Sequence, residues 1–493
     1  MRQHTILAVS LVLLALLAPV PAAATGPVIR VYLTTADLSA HLSRQADRTF
    51  LPAQSVPPAP LDIAVDETRR YQQIDGFGGA LTDSTAWLLQ ARLTPAARGE
   101  VLRRLFDPTH GIGLSYMRLP MGASDFTKDA TPYSYDDAPG GHPDPSLAHF
   151  SIAHDTAYII PVLRAALRLN PALKLVASPW SPPGWMKTSA TSGMTGTVLP
   201  AFYPALAHYV VAFLRAYAAH GVPIDAITPQ NEPGQGAGYP GMVFPATAEA
   251  AFITASLGPA LVAAGLHTRI LAYDSYWDTR YTTPNYPFLV MSDAAARRYL
   301  SGTAWHCYEG SPDIMTRLHE AYPHKDTYET ECSSGIAHGD VAELIIAASR
   351  NWSRGTLLWN LALDTSGGPK QGSSCPGCSA PVIVDPVTGK VSYTRDYYQL
   401  GQASRFVRPG AYRIASTSPV THYKGSGLGC RNSTSYGSHT VDDVAFRDTN
   451  GSIVVVAYNA APPAKRFTVR WHGDAFSYTL PPCGTATFTW QSP

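Results

Sequence analysis

Ala226-Ile227-Thr228-Pro229-Gln230-Asn231-Glu232-Pro233 is the stretch on which the fold turns. Upstream, Phe202, Leu206, Tyr209, Val210, Phe213, Leu214 and Tyr217 recur at three- and four-residue steps, the apolar face of an amphipathic helix. Gly221 and Pro223 stop that helix. Residues 224–228 read as a short buried strand, and a carboxylate, Glu232, follows where the strand ends. Pro233 prevents the strand from continuing and is expected to hold Glu232 extended. A carboxylate at the C-terminal end of a strand, in a chain of alternating strands and helices, is where barrel enzymes carry their chemistry. Read alone, a surface glutamate in a loop is the more common reading, the ordinary fate of a charged residue.

The alternation extends both ways. From about Tyr71, Gly76-Phe77-Gly78-Gly79-Ala80 reads as a glycine-rich turn that permits close backbone approach. It lacks the Lys-Ser/Thr of a phosphate cradle. Asp83 follows near a helix start. Further strands are expected at 114–121 (carrying Arg118), 173–177, 269–273, 302–305 (ending at His306 and Tyr308), 326–330 (ending at Glu331) and 355–361. Helices are expected at 158–169, 248–264 and 341–348. The strand at 173–177 runs into Ser178-Pro179-Trp180-Ser181-Pro182-Pro183-Gly184-Trp185, a rigid aromatic wall, with Trp185 equally readable as core. Eight strand–helix alternations predict a (β/α)8 TIM barrel. After about Tyr397 the helical pattern gives way to alternation at Phe467, Val469 and Trp471, at Phe476, Tyr478 and Leu480, and at Ala486, Phe488 and Trp490. This predicts an attached antiparallel β-sandwich, which the N-terminal strands around Ile29, Val31, Leu33 and Leu61, Ile63, Val65 are expected to join. The expected divisions are a signal segment at 1–24, N-terminal sandwich strands at 25–69, the barrel at 70–405 and the C-terminal sandwich at 406–493.

Glu331 lies in Tyr328-Glu329-Thr330-Glu331-Cys332. Strand alternation puts Glu329 and Glu331 on one side, with Glu331 nearer the barrel mouth. Glu232 and Glu331, three strands apart, can converge above the barrel. Glycosidic cleavage needs such a pair, one protonated to release the leaving oxygen and one ionised to attack the anomeric carbon, in environments that push their pKa values apart. Arg118 has two readings, a cation beside Glu331 or a structural salt bridge.

Together, Gln230-Asn231-Glu232-Pro233, Thr330-Glu331-Cys332, Gly76-Phe77-Gly78-Gly79-Ala80-Leu81-Thr82-Asp83, Arg118-Leu119-Pro120-Met121, Ala177-Ser178-Pro179-Trp180-Ser181-Pro182 and Trp359-Asn360-Leu361-Ala362-Leu363 resemble glycoside hydrolase family 30. The likeness is to its glucosylceramidase-like branch, which includes β-1,6-glucanases. It runs from about Tyr71 to the C-terminus. It implies a retaining β-glycosidase acting on β-glucosidic bonds, with Glu232 as general acid/base and Glu331 as nucleophile. It places Asp83, Trp180, Asn231, His306 and Tyr308 around the sugar, with Trp359 and Asn360 near it. The physical reading of these residues agrees. Asn231 can hydrogen-bond the sugar 2-OH, Asp83 can accept from sugar hydroxyls with both oxygens, and Tyr308 can donate to Glu331 and keep it ionised. Within the branch, an endo-β-1,6-glucanase is the alternative substrate reading, followed by a xylan-active enzyme. A rival of another class is a carbohydrate-binding protein on an inactive barrel, which loss of either glutamate would favour. A metal-dependent hydrolase lacks its ligand motif, and no metal or cofactor is expected.

The rest of the sequence sets the context. Of 493 residues 45% are hydrophobic and 15% charged, with a net charge of +1 and no long charged run, so neither nucleic acid nor an anionic membrane is an expected partner. Aromatics at 10% suit sugar handling. Arg2, an apolar run from Ile6 to Leu17 and Ala22-Ala23-Ala24 read as a secretion signal cleaved near residue 24, the run being too short for a membrane span. A secreted monomer without stable membrane insertion is expected. Of six cysteines, Cys375 and Cys378 are expected to form a small loop disulfide and Cys430 and Cys483 can pair, whereas Cys307 and Cys332 read as buried thiols.

Overall fold

The computed structural model describes residues 26–492 apart from 191–194, 235–238, 280–284, 336–339, 373, 418–429 and 431–440. The signal segment expected at 1–24 lies outside the described residues. Eight parallel strands close into a barrel: β1 (Gly76–Ala80), β2 (Tyr116–Met121), β3 (Lys174–Pro179), β4 (Ala226–Ile227), β5 (Arg269–Tyr276), β6 (Leu300–His306), β7 (Asp326–Glu331) and β8 (Ser353–Leu358). Tyr116, Val176, Ala226, Leu271, Ala304, Tyr328 and Leu357, one from each of β2 to β8, fill its interior. β1 contributes glycine to that layer. A Cβ on Gly78 would stand 1.8 Å from the Tyr116 carbonyl oxygen. The glycine-rich stretch is therefore a barrel strand, not a turn, and its glycines serve the close approach.

Two local expectations fail. Glu232 is not extended: its φ is +44°. Pro233 disfavours the right-handed region at the residue before it, and the chain here turns into the left-handed one, held by a 3.0 Å hydrogen bond from Glu232 N–H to the Asp274 carbonyl. In β7, Trp305 faces Glu329 but His306 faces Glu331, so Thr330 is an extra, bulged residue. The bulge breaks the alternation that would have put Glu329 and Glu331 on one side.

The sandwich strands follow one hydrogen-bonded path, in which Val28–Thr34 pairs with Thr485–Gln491 and the long strand Leu61–Gln73 links two halves. That strand pairs antiparallel with Tyr412–Ser416 but parallel with Lys465–Trp471, the one departure from the antiparallel expectation among the described pairings. Ile29, Val31, Phe50, Phe467, Phe476, Phe488 and Trp490 form its core. The barrel helices Val341–Arg350 and Arg395–Ser404 dock on it. The second of these continues past Tyr397, where the apolar pattern fades, because its inward face is polar and paired. Gln402 donates to Thr34 Oγ1 at 2.8 Å and accepts from Thr487 Oγ1 at 2.6 Å.

Cys375–Cys378 and Cys430–Cys483 are disulfides, and so is Cys307–Cys332, read above as two thiols. The parallel pairing of β6 with β7 sets each cysteine one residue past a paired strand end, with Cα atoms 5.3 Å apart. Ala246–Ala263 is long and apolar enough to cross a membrane by composition alone. Here it packs in the helical layer against the helix Tyr203–Ala219 and buries Glu249.

Candidate active site

The C-terminal ends of β2, β4, β5, β6 and β7 meet in one buried polar cluster. Arg118, near the end of β2, donates from Nη1 to Glu331 Oε2 at 2.5 Å and from Nη2 to Asn231 Oδ1 and Asp274 Oδ2, both at 2.7 Å. Both readings of Arg118 therefore hold at once. Tyr308 donates to Glu331 Oε1 at 3.0 Å. His306 contacts Glu232 Oε1 through Nδ1 and Asp274 Oδ1 through Nε2, each at 3.1 Å. Tyr239 donates to Glu232 Oε2 at 3.3 Å. One oxygen of Glu232, one of Glu331 and a ring nitrogen of His306 all lie within 4.8 Å of one another. The fixed guanidinium of Arg118 against Glu331 opposes a metal cation at that trio.

Because arginine only donates, its bond fixes the Asn231 amide with oxygen toward Arg118. The Asn231 amide nitrogen is left as the group that can donate elsewhere. Burial pushes the Glu331 carboxyl up, with the charges of His306 and Arg118 acting against it. For His306, burial acts downward, but Glu331, Asp274 and Glu232 outweigh it and raise the imidazole to about 10. Burial also acts on Asp274, yet Arg118, His306 and Ser178 hold it far below the usual carboxylate range. Glu329 does not enter the mouth. It has a carboxylate oxygen beside the Cys307 and Cys332 sulfurs, and burial raises its pKa well above the usual range.

Aromatic rings wall the cluster. Trp180 and Trp359 stack at 5.1 Å and 20°, and the Arg118 guanidinium lies over Trp180 at 4.7 Å. Trp185 is core: it packs edge-on to Phe202 and donates to the Asp136 carbonyl. Asp83 opens the helix Asp83–Ala91. Its oxygens accept from Lys128 N–H at 2.8 Å and Tyr158 OH at 2.6 Å, and His154 Nε2 lies at 2.7 Å. Asn360, fully buried with φ +77°, accepts from Thr82 Oγ1 at 2.9 Å and so ties the end of β8 to the residue before Asp83.

The glycosyl hydrolase family 30 TIM-barrel model matches residues 74–407, and the family 30 β-sandwich model matches 410–488. The chain belongs to glycosyl hydrolase family 30. Among its relatives, an endo-1,6-β-D-glucanase of Neurospora crassa is 37% identical over 74% of this chain and 77% of its own. The lysosomal acid glucosylceramidase of Mus musculus is 29% identical over 87% and 83%. Of solved structures, an endo-β1,6-glucanase superposes with a TM-score of 0.81 at 30% identity, covering 95% of this chain and all of the other. As a family 30 member the chain is a glycoside hydrolase with carbohydrate as its substrate class.

In this family 30 chain, eight of the ten residues singled out from sequence meet in or against the cluster: Glu232, Glu331, Asn231, His306, Tyr308, Arg118, Trp180 and Trp359. Asp83 and Asn360 are tied to each other through Thr82, the residue before Asp83, and not by a hydrogen bond to the cluster among the described contacts. Sequence reasoning missed Asp274, Asp125 and Tyr239. Asp274 lies at the end of β5, the same signal that marked the two glutamates. Burial and then the charges of Glu331 and Glu232 raise Asp125 well above the usual range. Tyr239 and Asp125 sit in loops without periodicity, and nothing in the sequence marks them.

Proposed function

We propose that this enzyme hydrolyses β-glucosidic bonds with retention, and that its substrate is a β-1,6-linked glucan. Glu331 attacks the anomeric carbon while Glu232 gives a proton to the leaving oxygen. Water then opens the glycosyl-enzyme, with Glu232 taking the proton back. The observation that carries this reading is the approach of the two carboxylate oxygens to within 4.8 Å. Retaining enzymes hold their carboxyl groups about 5 Å apart, while inverting ones leave room for a water at about 6.5–9.5 Å. Arg118 and Tyr308 donate to Glu331, which favours its ionised form. The Asn231 amide nitrogen donates to the 2-OH. The Trp180–Trp359 pair, with Arg118 over it, forms a rigid wall beside the cluster.

The linkage rests on relatives. Endo-1,6-β-glucanases of Neurospora crassa, Aspergillus fumigatus and Trichoderma harzianum are 33–37% identical over 74–85% of this chain. Export is part of the proposal. All six cysteines are paired, as an oxidising compartment permits. We read the enzyme as a monomer.

Incubation with β-1,6-glucan, detergent-dispersed glucosylceramide and glucuronoxylan, with NMR of the first product, tests it. Gluco-oligosaccharides released from β-1,6-glucan as β-anomers are expected. Xylo-oligosaccharides alone overturn the glucosidase reading, glucose from the lipid alone overturns the linkage, and α-anomers overturn retention.

A further inference from the structure

The cluster has a centre, and it is neither glutamate. Tyr273 and Asp274 both have positive φ, +79° and +51°, and β5 slips register between Tyr273 and Ser275. This bulge turns Asp274 into the barrel mouth. Behind it, Glu249 accepts from Tyr273 N–H at 3.2 Å and from Tyr286 OH at 2.6 Å. Burial raises Glu249 to about 7, so the strained bulge is held by a group that costs little charge below neutrality.

In the mouth, every element around Asp274 gives it a partner. Oδ2 accepts from Arg118 Nη2 on β2 at 2.7 Å, Ser178 Oγ on β3 at 2.6 Å and Thr228 Oγ1 after β4 at 2.8 Å. Oδ1 accepts from Thr330 Oγ1 on β7 at 2.7 Å and lies 3.1 Å from His306 Nε2 on β6. Its carbonyl takes the N–H of Glu232. Asp274 therefore touches the partner of each reactive glutamate, Arg118 for Glu331 and His306 for Glu232, together with the backbone of Glu232.

We propose that Asp274 is the positioning residue that sets the charge state of the site, holding His306 as an imidazolium that donates to both Asp274 and the acid/base glutamate, and balancing Arg118 against Glu331. This rests on the two-glutamate reading above. The reasoning is a charge count. With Arg118 and His306 cationic and Asp274 and Glu331 anionic, the four charges cancel, and burial keeps the neighbouring carboxyls of Asp125 and Glu329 toward their neutral forms. Without Asp274 two cations face one anion. Removing one negative charge lowers the pH at which every other group in the cluster gives up its proton. A neutral His306 could no longer donate to both carboxylates, since one ring nitrogen would lack a proton.

Two measurements test this. The first is the pH profile of kcat/KM on an aryl β-glucoside for the wild type and Asp274→Asn. The alkaline limb is expected to move to lower pH by about one unit or more, a shift typical of removing a contacting charge. Equal limbs with only a lower kcat overturn the proposal. The second is the ring NMR titration of His306 in the full wild-type chain, which needs neither turnover nor a variant. His306 is expected to stay protonated through neutrality, and in Asp274→Asn its midpoint is expected about one to three units lower. A wild-type His306 that becomes neutral near its ordinary 6.5 overturns the proposal, whether or not Asp274→Asn folds. If the aryl glucoside is not cleaved, the two-glutamate reading fails while the titration still decides the role of Asp274.

Discussion

Cys307 and Cys332 are bonded to each other immediately after His306 and Glu331. The bridge spans the ends of β6 and β7 where these strands bring His306 and Glu331 into the polar cluster. It closes a separation of 25 residues, against 3 for Cys375–Cys378. Replacing both Cys307 and Cys332 with alanine is expected to cost about 3 kcal/mol, because a loop of this size loses that much closure entropy from the unfolded chain. Replacing Cys375 and Cys378 is expected to cost less. Denaturant unfolding of the two double variants checks this, and equal losses contradict it. The Cys307/Cys332 variant is also expected to lose kcat, since the strand ends are no longer tied.

Glu331→Gln is expected to lower turnover at least a thousandfold (~4 kcal/mol of barrier) without changing the melting temperature by much. A 2-fluoro glucoside with a good leaving group is expected to label Glu331. Peptide mapping that finds the label on Glu329 would falsify the assignment. Glu329 lies beside the disulfide, so no label is expected there.

Glu232→Ala is expected to slow substrates with poor leaving groups far more than activated aryl glucosides, which need little proton assistance. Azide is expected to restore part of the rate and yield the β-glucosyl azide. An α-azide identified by NMR shows inversion, and no rescue at all argues that Glu232 is not the acid/base.

Asp442 and Asp443 are adjacent and buried in a sandwich strand beneath the helix Val341–Arg350. Burial raises both to about 7, and for Asp442 the charge of Asp443 adds to it. A carboxyl raised in the folded state stabilises below the unfolded value of 3.8 and loses that contribution as pH rises through its folded value. Thermal stability is therefore expected to fall between about pH 4 and pH 7 from this pair. Asp442→Asn is expected to raise the melting temperature at pH 8 and leave it nearly unchanged at pH 4. Calorimetry at the two pH values decides, and an equal effect at both refutes the assignment.

A chain ending at residue 405 is expected to be insoluble, because it exposes the faces of Val341–Arg350 and Arg395–Ser404 that dock on the sandwich. It also strands Val28–Thr34 without its neighbour Thr485–Gln491. A soluble, active product by gel filtration and aryl-glucoside assay shows the barrel to be independent.

The repeating strand–helix pattern and the glutamates at the ends of two strands were legible because periodicity and strand termini are local properties. Helical spacing before Gly221, the stop at Pro223 and the carboxylate at Glu232 need no partner to be recognised. So are the sandwich alternations at Phe467, Val469 and Trp471. Three things were decided only in three dimensions. Gly76-Phe77-Gly78-Gly79-Ala80 is a strand because it pairs parallel with β2 and β8, and Gly78 is needed there because the Tyr116 carbonyl leaves no room for a Cβ. Cys307 and Cys332 bond because parallel pairing brings two distant strand ends together. The bulges at Thr330 and Asp274 reverse the faces that alternation assigns, sending Glu329 to the disulfide and Asp274 into the mouth. A bulge depends on the register between strands far apart in the chain, which no single stretch encodes. Sequence alone thus determined the barrel, the sandwich and which two carboxylates stand at strand ends. Tertiary packing decided which side chains face them, and with that the charge each one carries.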